Sequence, residues 1–379
     1  MMKKRVLVIN PWAIKGDNVY TDGFIRGISE YADITFMTNW FYNEHSDINY
    51  QVQKVFFKHS QKMLRTSFRM FLRGLEYIKG YICILKELRR KQYDVVHIQW
   101  ILLYKFDRFF MSAIKPRCKK MIYTAHNVIP HINGEKSIAD LNRIYSVPDT
   151  IILHGKGIYN EFKGLFPHYI DKVYIQHFGI NQDYNKKYDL EKIDLEVKAK
   201  MDKAAKIYLY IGTVYYNKGI DRVIRMWKDM PDDELLVVIG IWKEGYEEIA
   251  EYLNEQGDPE NIIIMNKFVE DDIANYLIFR SDLILIPYRH ASMSSVVYMA
   301  ANFEKTFLAT DVGAIKEYAN EESSFIVKND VESMRNSLLD IAGSYSRERL
   351  ADMGRKQANY IIENYNWEKI AEKVYKDCY

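Results

Sequence analysis

Short apolar runs alternate along this chain with longer stretches in which apolar residues recur at helical spacing. In the first half the runs are Arg5–Asn10, Ile34–Thr38, Val95–Gln99, Lys120–Thr124, Thr150–His154 and Val173–His177. Each is brief and bounded by polar residues, as strands covered on both faces tend to be. Residues 181–206 then turn rich in Lys, Asp and Tyr, the composition of a connection between domains. The rhythm restarts beyond it, with strands predicted at Ile207–Gly212, Glu234–Ile239, Ile262–Met265, Leu283–Pro287, Thr306–Ala309 and Ser324–Val327. Helices are predicted at Gly219–Lys228, Gly245–Gln256, Asp271–Arg280, Ser294–Phe303 and Val331–Asn364. Two consecutive doubly wound α/β domains, each Rossmann-like, use every segment.

The segment from Lys54 to Lys91 departs from this rhythm. It carries Lys54, Lys58, Lys62, Arg65, Arg69, Arg73, Lys79, Lys86, Arg89, Arg90 and Lys91 against only Glu76 and Glu87. Its apolar residues, from Phe57 and Leu64 through Phe68, Phe71, Leu72, Leu75, Ile78, Ile82 and Leu85, recur at spacings of three, four and seven. That predicts an amphipathic helical region with a basic polar face. Two readings stay open: an ordinary solvated face, or docking onto an anionic membrane, where each basic residue near the surface contributes about 1 kcal/mol.

Composition narrows the class. At 379 residues the chain exceeds the usual domain of roughly 100 to 200 residues, and 48% apolar against 27% charged residues exclude a disordered chain. A net charge of +2 gives the chain as a whole no reason to seek nucleic acid. Cys83, Cys118 and Cys378 show neither metal-ligand nor CxxC spacing, so a reducing, cytoplasmic compartment is expected. The apolar run Val6–Ile9 is far shorter than a signal-peptide core, and nothing approaches about 18 uninterrupted apolar residues. Any membrane contact is therefore expected to be peripheral.

In doubly wound sheets ligands bind beyond the carboxyl ends of the strands, so the loops that follow strands are the informative ones. No GxGxxG, GxxxxGK[ST] or HExxH occurs, which removes the simple dinucleotide, Walker and zinc-protease readings. Gly212-Thr213-Val214-Tyr215-Tyr216-Asn217-Lys218-Gly219 ends a strand with a lysine that can reach a phosphate, and a glycine then opens a helix. Pro287-Tyr288-Arg289-His290-Ala291-Ser292-Met293-Ser294-Ser295 leads into an apolar helix. There Ser294 can cap, the Ser294 and Ser295 amides can face a pyrophosphate, and Arg289 can offset charge. A third loop places Gly313 and Glu317 after a strand, where Glu317 can equally bond a loop amide. In the first half His126 stands at a strand exit, a position open to structural hydrogen bonding or to chemistry. His97 and His177 also end strands, and His177 reads as packing.

At these loops the sequence resembles the group 1 family of retaining glycosyltransferases, and the resemblance spans nearly the whole chain. It rests on NVYTDGFIRGI, YDVVHIQW, YTAHNVIPH, DTIILHGKGI, QHFGI, IGTVYYNKGIDRVI, SDLILIPYRHASMSS and FLATDVGAIKEY in this order. The resemblance implies a GT-B fold: an N-terminal acceptor-binding domain over 1–182, a C-terminal nucleotide-sugar domain over 183–364, and a terminal helix over 365–379 returning to the first domain. It further implies catalysis in the cleft between the domains without an obligatory metal or other cofactor. His126 and Lys218 would act at the reacting centre, and Gly16, Gly212, Thr213, Lys218, Arg289, Ser294, Ser295, Gly313 and Glu317 would hold the donor.

The chain departs from the family pattern where two glutamates are common, at Ala291 and Met299, and where an arginine usually precedes the lysine, at Thr213 or Tyr215. Methionine cannot accept a hydrogen bond from a ribose diol as a carboxylate does. The leading expectation is transfer of a sugar from a nucleotide-sugar donor to a glycan or lipid-linked acceptor, in surface polysaccharide or glycolipid assembly at the inner face of the cell membrane. A catalytically silent partner subunit is the alternative, and a GT-B epimerase or phosphorylase a third.

Overall fold

The computed structural model describes residues 3–13, 19–43, 48–64, 66–129, 134–180 and 185–379. The chain divides into two compact units, Met1–Asn181 with Tyr365–Tyr379, and Gln182–Asn364.

In chain order the first unit runs β1 (Arg5–Asn10), α1 (Val19–Ser29), β2 (Asp33–Asn39), β3 (Gln51–Phe56), α2 (Ser67–Arg90), β4 (Tyr93–Ile98), α3 (Tyr104–Ile114), β5 (Cys118–Thr124), α4 (Gly134–Tyr145), β6 (Thr150–Leu153), α5 (Lys156–Leu165) and β7 (Val173–Ile175). Its strands form a parallel sheet in the order β3-β2-β1-β4-β5-β6-β7. Alternate residues of one strand feed opposite faces: Leu7 and Ile9 enter one core, Val6 and Val8 the other. Both faces are thus covered, which is why the central strands read as apolar runs rather than alternations.

The basic segment is not helical throughout, as its spacing led one to expect. Residues 51–56 form the edge strand β3, paired with β2, and Phe57 turns the chain away at φ 54°. An edge strand is only half-covered, so its polar Gln51, Gln53 and Lys54 leave too weak an alternation to be recognised. Helix α2 begins beyond it, with Thr66 Oγ1 accepting from the Arg69 amide as N-cap.

The second unit runs α6 (Leu195–Lys203), β8 (Lys206–Ile211), α7 (Ile220–Met226), β9 (Glu234–Ile239), α8 (Tyr246–Glu255), β10 (Ile262–Met265), α9 (Asp271–Arg280), β11 (Leu283–Ile286), α10 (Val296–Asn302), β12 (Thr306–Thr310), β13 (Phe325–Val327), α11 (Val331–Ser344) and α12 (Arg347–Asn364). Its parallel sheet has the order β10-β9-β8-β11-β12-β13, with the reversal of winding between β8 and β11. The single helix expected over 331–364 is two. Tyr345 is extended, and Ser346 Oγ accepts from the Arg349 amide at 3.2 Å to start α12.

The last helix, α13 (Trp367–Cys378), is part of the first unit and packs on α1. Trp367 is what makes the fit close, since a Cβ on Gly23 or Gly179 would stand 2.0 or 2.4 Å from its indole. The Ile180 amide donates to Tyr365 O at 2.7 Å, and the buried Tyr379 hydroxyl lies 2.7 Å from His97 Nδ1. Among the described residues no helix is long and apolar enough to cross a membrane.

Candidate active site

In the second unit the loops after β8, β11 and β12 are tied together at their strand ends. Gly219 has φ +68°, and a Cβ there would stand 2.1 Å from Pro287 O, so the turn after Lys218 closes directly on the end of β11. Arg222 Nη2 donates to the same Pro287 carbonyl at 2.7 Å, and the Arg289 amide donates to Asn217 O at 2.8 Å. On the other side Gly313, at φ +56°, leaves no room for a Cβ, which would meet Ala291 O at 2.0 Å. These contacts bring Lys218, Arg289, Ser294 and Gly313 onto one rim.

Lys218 is the electrostatic oddity of that rim. Its Nζ lies 3.9 Å from the centroid of the Tyr288 ring, and among the described residues neither a carboxylate nor a hydrogen-bond acceptor partners it. Burial pushes its ammonium down to about 8. A desolvated cation without a counter-charge is costly unless a ligand supplies one, and such groups concentrate at functional sites. The Tyr288 ring beneath it is fixed at both ends. Its hydroxyl lies 3.2 Å from Ser294 Oγ, while Thr310 Oγ1 donates to its carbonyl at 2.5 Å. Burial pushes the phenol up to about 12, so it stays protonated.

Arg289 is placed differently from an open phosphate ligand. Both its terminal nitrogens donate to the Asp221 carboxylate at 2.6 Å, and Nη1 also donates to Tyr216 O at 2.7 Å. Its charge is already balanced, and the ion pair holds the guanidinium above its ordinary range. Ser294 Oγ accepts from the Val296 amide at 3.3 Å, but the cap position of α10 falls to Ser295, whose side chain makes no capping bond, so Ser294 is not the cap expected from the sequence. The Ser294 and Ser295 amides donate to nothing among the described residues. Gly212 is half-buried just beyond β8, with exposed Thr213 next to it. Glu317 is half-buried on a single 3-10 turn, Ile315–Tyr318, and Met299 and Ala291 leave no carboxylate at their positions.

The first unit presents a polar cluster at its own strand ends. Thr21 Oγ1 accepts from Asn10 Nδ2 at 2.8 Å and donates to Gln99 Oε1 at 3.0 Å. His126, two residues beyond β5, stacks on Trp100 at 4.5 Å and meets the Tyr20 ring edge-on at 4.9 Å. Its Nδ1 lies 3.2 Å from His154 Nε2, and His154 Nδ1 lies 3.1 Å from Gln176 O. His97 is spent structurally, between Thr124 Oγ1 and the Tyr379 hydroxyl, both at 2.7 Å. Burial, with further lowering by His154 and His97, holds the His126 imidazole far below its usual range, so it is neutral at physiological pH. Two buried side-chain nitrogens here have no partner: His126 Nε2 and Gln99 Nε2.

Gly16 lies outside the described residues. Sequence reasoning did not single out Tyr288, Asp221, Gln99, Trp100 or His154. His154 carried the available signal, directly following β6 in the run DTIILHGKGI. Among the described residues no group of three or more His, Cys, Asp or Glu is gathered as metal ligands would be.

Residues 192–359, nearly all of the second unit, match the family described as glycosyl transferases group 1. The second unit belongs to the group 1 glycosyl transferases. Two relatives from Methanocaldococcus jannaschii, both called uncharacterized glycosyltransferases, are 25% identical over 203 residues and 24% identical over 239. Those alignments cover 50% and 60% of this chain, and the chain spans 50% and 59% of those relatives' own lengths. Among solved structures, the sucrose-phosphate synthase of Thermosynechococcus elongatus superposes with a TM-score of 0.70 at 13% identity, covering 99% of this chain and 98% of that one. Anabaena HepE in complex with UDP superposes at 0.69 and 10% identity, covering 98% of each chain. At such identities the likeness establishes the fold: two parallel α/β sheets of the GT-B kind. Within this group 1 unit the rim around Lys218 occupies the strand ends on either side of the winding reversal, where ligands of open α/β sheets bind.

Proposed function

We propose that this protein transfers a sugar, with retention of configuration, from a nucleotide-sugar donor to a glycan or lipid-linked acceptor in surface polysaccharide or glycolipid assembly. The observation that carries the reading is Lys218, a desolvated and unpaired ammonium at the rim of the group 1 unit. A departing nucleoside diphosphate would supply its missing counter-charge, and the unpaired Ser294 and Ser295 amides would add neutral donors. HepE has been captured with UDP and with UDP-glucose, which favours a uridine nucleotide as the first donor to try. The first unit would then hold the acceptor, with His126 Nε2 and Gln99 Nε2 as its unsatisfied polar atoms.

Helix α2 supports an acceptor at a membrane surface. Its solvent-facing stripe runs Phe68, Phe71, Leu75, Lys79, Ile82, Lys86 and Arg89, each exposed. Exposed Phe106 and Phe109 of α3, with Lys105, line a neighbouring groove of about 500 Å³. The nearby carboxylates are turned inward: Glu76 accepts from His59 and Ser60, and Asp107 from Tyr77 and Tyr81. Half-buried Glu87 accepts from the Tyr93 hydroxyl, and an apolar and basic surface with its described carboxylates so engaged suits an anionic bilayer at the cytoplasmic face.

The test is a thermal-shift screen against UDP-, GDP- and dTDP-sugars, followed by transfer assays with membranes. A ligand at 100 times its dissociation constant stabilises by about 2.7 kcal/mol, a shift that is easily read. Replacing Lys218 with Ala should cut transfer at least about tenfold, the loss of one charge-assisted contact. No shift with any nucleotide sugar, or full activity of the variant, overturns the reading. A silent partner subunit is the second reading, favoured by Ala291 and Met299 in place of ribose-binding carboxylates. It predicts glycan or transferase binding without turnover of any donor.

A further inference from the structure

The hydrogen-bond chain behind His126 has a direction, and that direction fixes what its unpartnered end can do. Gln176 O is a carbonyl and can only accept, so the His154 Nδ1 facing it at 3.1 Å carries the hydrogen. His154 is wholly buried, and its burial lowers it to about 3, so the ring is neutral and its Nε2 holds a lone pair. The 3.2 Å contact from that Nε2 to His126 Nδ1 is then a hydrogen bond only if His126 Nδ1 donates. His126 is neutral as well, so its one hydrogen is used there. Its Nε2 is left with a lone pair and meets no partner in hydrogen-bonding geometry, while the Gln99 backbone carbonyl beside the ring competes with His154 for the one hydrogen.

We propose that His154 is a positioning residue that holds His126 in the Nδ1–H tautomer, leaving Nε2 as a hydrogen-bond acceptor for a hydroxyl of the bound sugar. The sugar half of this statement rests on the transferase reading above, and the tautomer half does not. Free neutral imidazole side chains prefer hydrogen on Nε2, so the protein must impose the other form. Trp100 and Tyr20 fix the ring plane, by stacking at 4.5 Å and by edge contact at 4.9 Å, and His154 fixes the proton. Gln99 Nε2, which also lacks a partner, adds a donor at the adjoining strand end. A hydroxyl is the ligand group that can donate to one such atom and accept from another. An ammonium group could donate to His126 but could not accept from Gln99.

The decisive measurement is 15N NMR of the full-length protein labelled at its nine histidines, with the His126 signals assigned through His126→Gln. The expected spectrum shows His126 Nδ1 protonated and Nε2 bare between pH 6 and pH 8. His154→Phe, which removes the acceptor, should convert His126 to a mixture or to the Nε2–H form, and kcat/KM for transfer should fall about tenfold. His154→Gln places an amide oxygen where Nε2 stood and should restore both the tautomer and most of the rate. A purely structural role would not tie the rate to the proton's position in this way. Wild-type His126 protonated on Nε2, or a His126 signal unmoved in His154→Phe, overturns the proposal, and if the Phe variant does not fold, the wild-type and Gln spectra decide. Nδ1–H in the wild type, together with no binding of any nucleotide sugar, would remove the transferase reading and the sugar hydroxyl with it while the tautomer assignment survives.

Discussion

At Lys218 the proton is held loosely because desolvation is opposed by no carboxylate, and this gives donor binding a pH dependence of definite sign. The free protein's ammonium is lowered to about 8, and a bound diphosphate would raise it again. Binding therefore takes up a proton above that point. Affinity for a nucleoside diphosphate should be level below pH 7 and fall as pH rises through about 8, by at most about tenfold per pH unit. Isothermal titration between pH 6.5 and 9.5 reads this directly, and Lys218→Met should flatten the profile. The places of Lys218 and His126 in loops that follow strands were legible in the sequence, a matter of local order. Tyr288 and His154 were not, since their part comes from contacts between segments far apart in sequence. Likewise Arg289 could be placed at the rim by counting, but its engagement with Asp221, 68 residues away, could not.

Helix α2 shows how far an element can be read before its neighbours are known. The period of its apolar residues survives in the fold, yet the basic residues divide into two kinds. Arg69 donates to Ser60 O, Arg73 lies over the Phe57 ring at 4.1 Å and Lys91 pairs with Asp33, so these are structural. Lys79, Lys86, Arg89 and Arg90 are exposed and make no ion pair among the described residues. Along the exposed stripe Phe68, Phe71 and Leu75 lie toward the start of the helix and most of the cations toward its end. The start should therefore enter the interface while the end meets lipid phosphates. In vesicle co-sedimentation, Phe68→Ser with Phe71→Ser should abolish binding at any salt. Lys86→Glu with Arg89→Glu should weaken it mainly on anionic vesicles and at low ionic strength. Strands β9 and β10 and helix α9 match their expected limits, because apolar runs with clear punctuation carry their own boundaries. Edge strand β3 and the break at Tyr345 lacked that punctuation.

For the molecule as a whole, the proposed chemistry puts the leaving-group charge on Lys218 and backbone amides rather than on a metal. Transfer should persist in EDTA at a rate within about twofold of that in magnesium, since protein donors can supply the oxyanion stabilisation alone. A rate abolished by chelation and restored by a divalent ion would refute that division of labour. Both α/β units were legible as units because each repeats the strand-helix rhythm. The return of α13 to the first came from the family resemblance and not from that rhythm.

That return has a consequence for how the protein is made. Synthesis proceeds from the amino end, so the groove lined by Gly23, Gly27 and Gly179 emerges long before Trp367 and Ala371, which fill it. Throughout translation of the second unit the first must wait with α1 uncovered and His97 lacking the Tyr379 hydroxyl. A fragment ending at residue 181 should accordingly be trapped by chaperones or precipitate, and a peptide of residues 365–379 supplied in trans should rescue it. The nascent chain is thus at its most vulnerable while it is half built, and its last helix acts as the clasp.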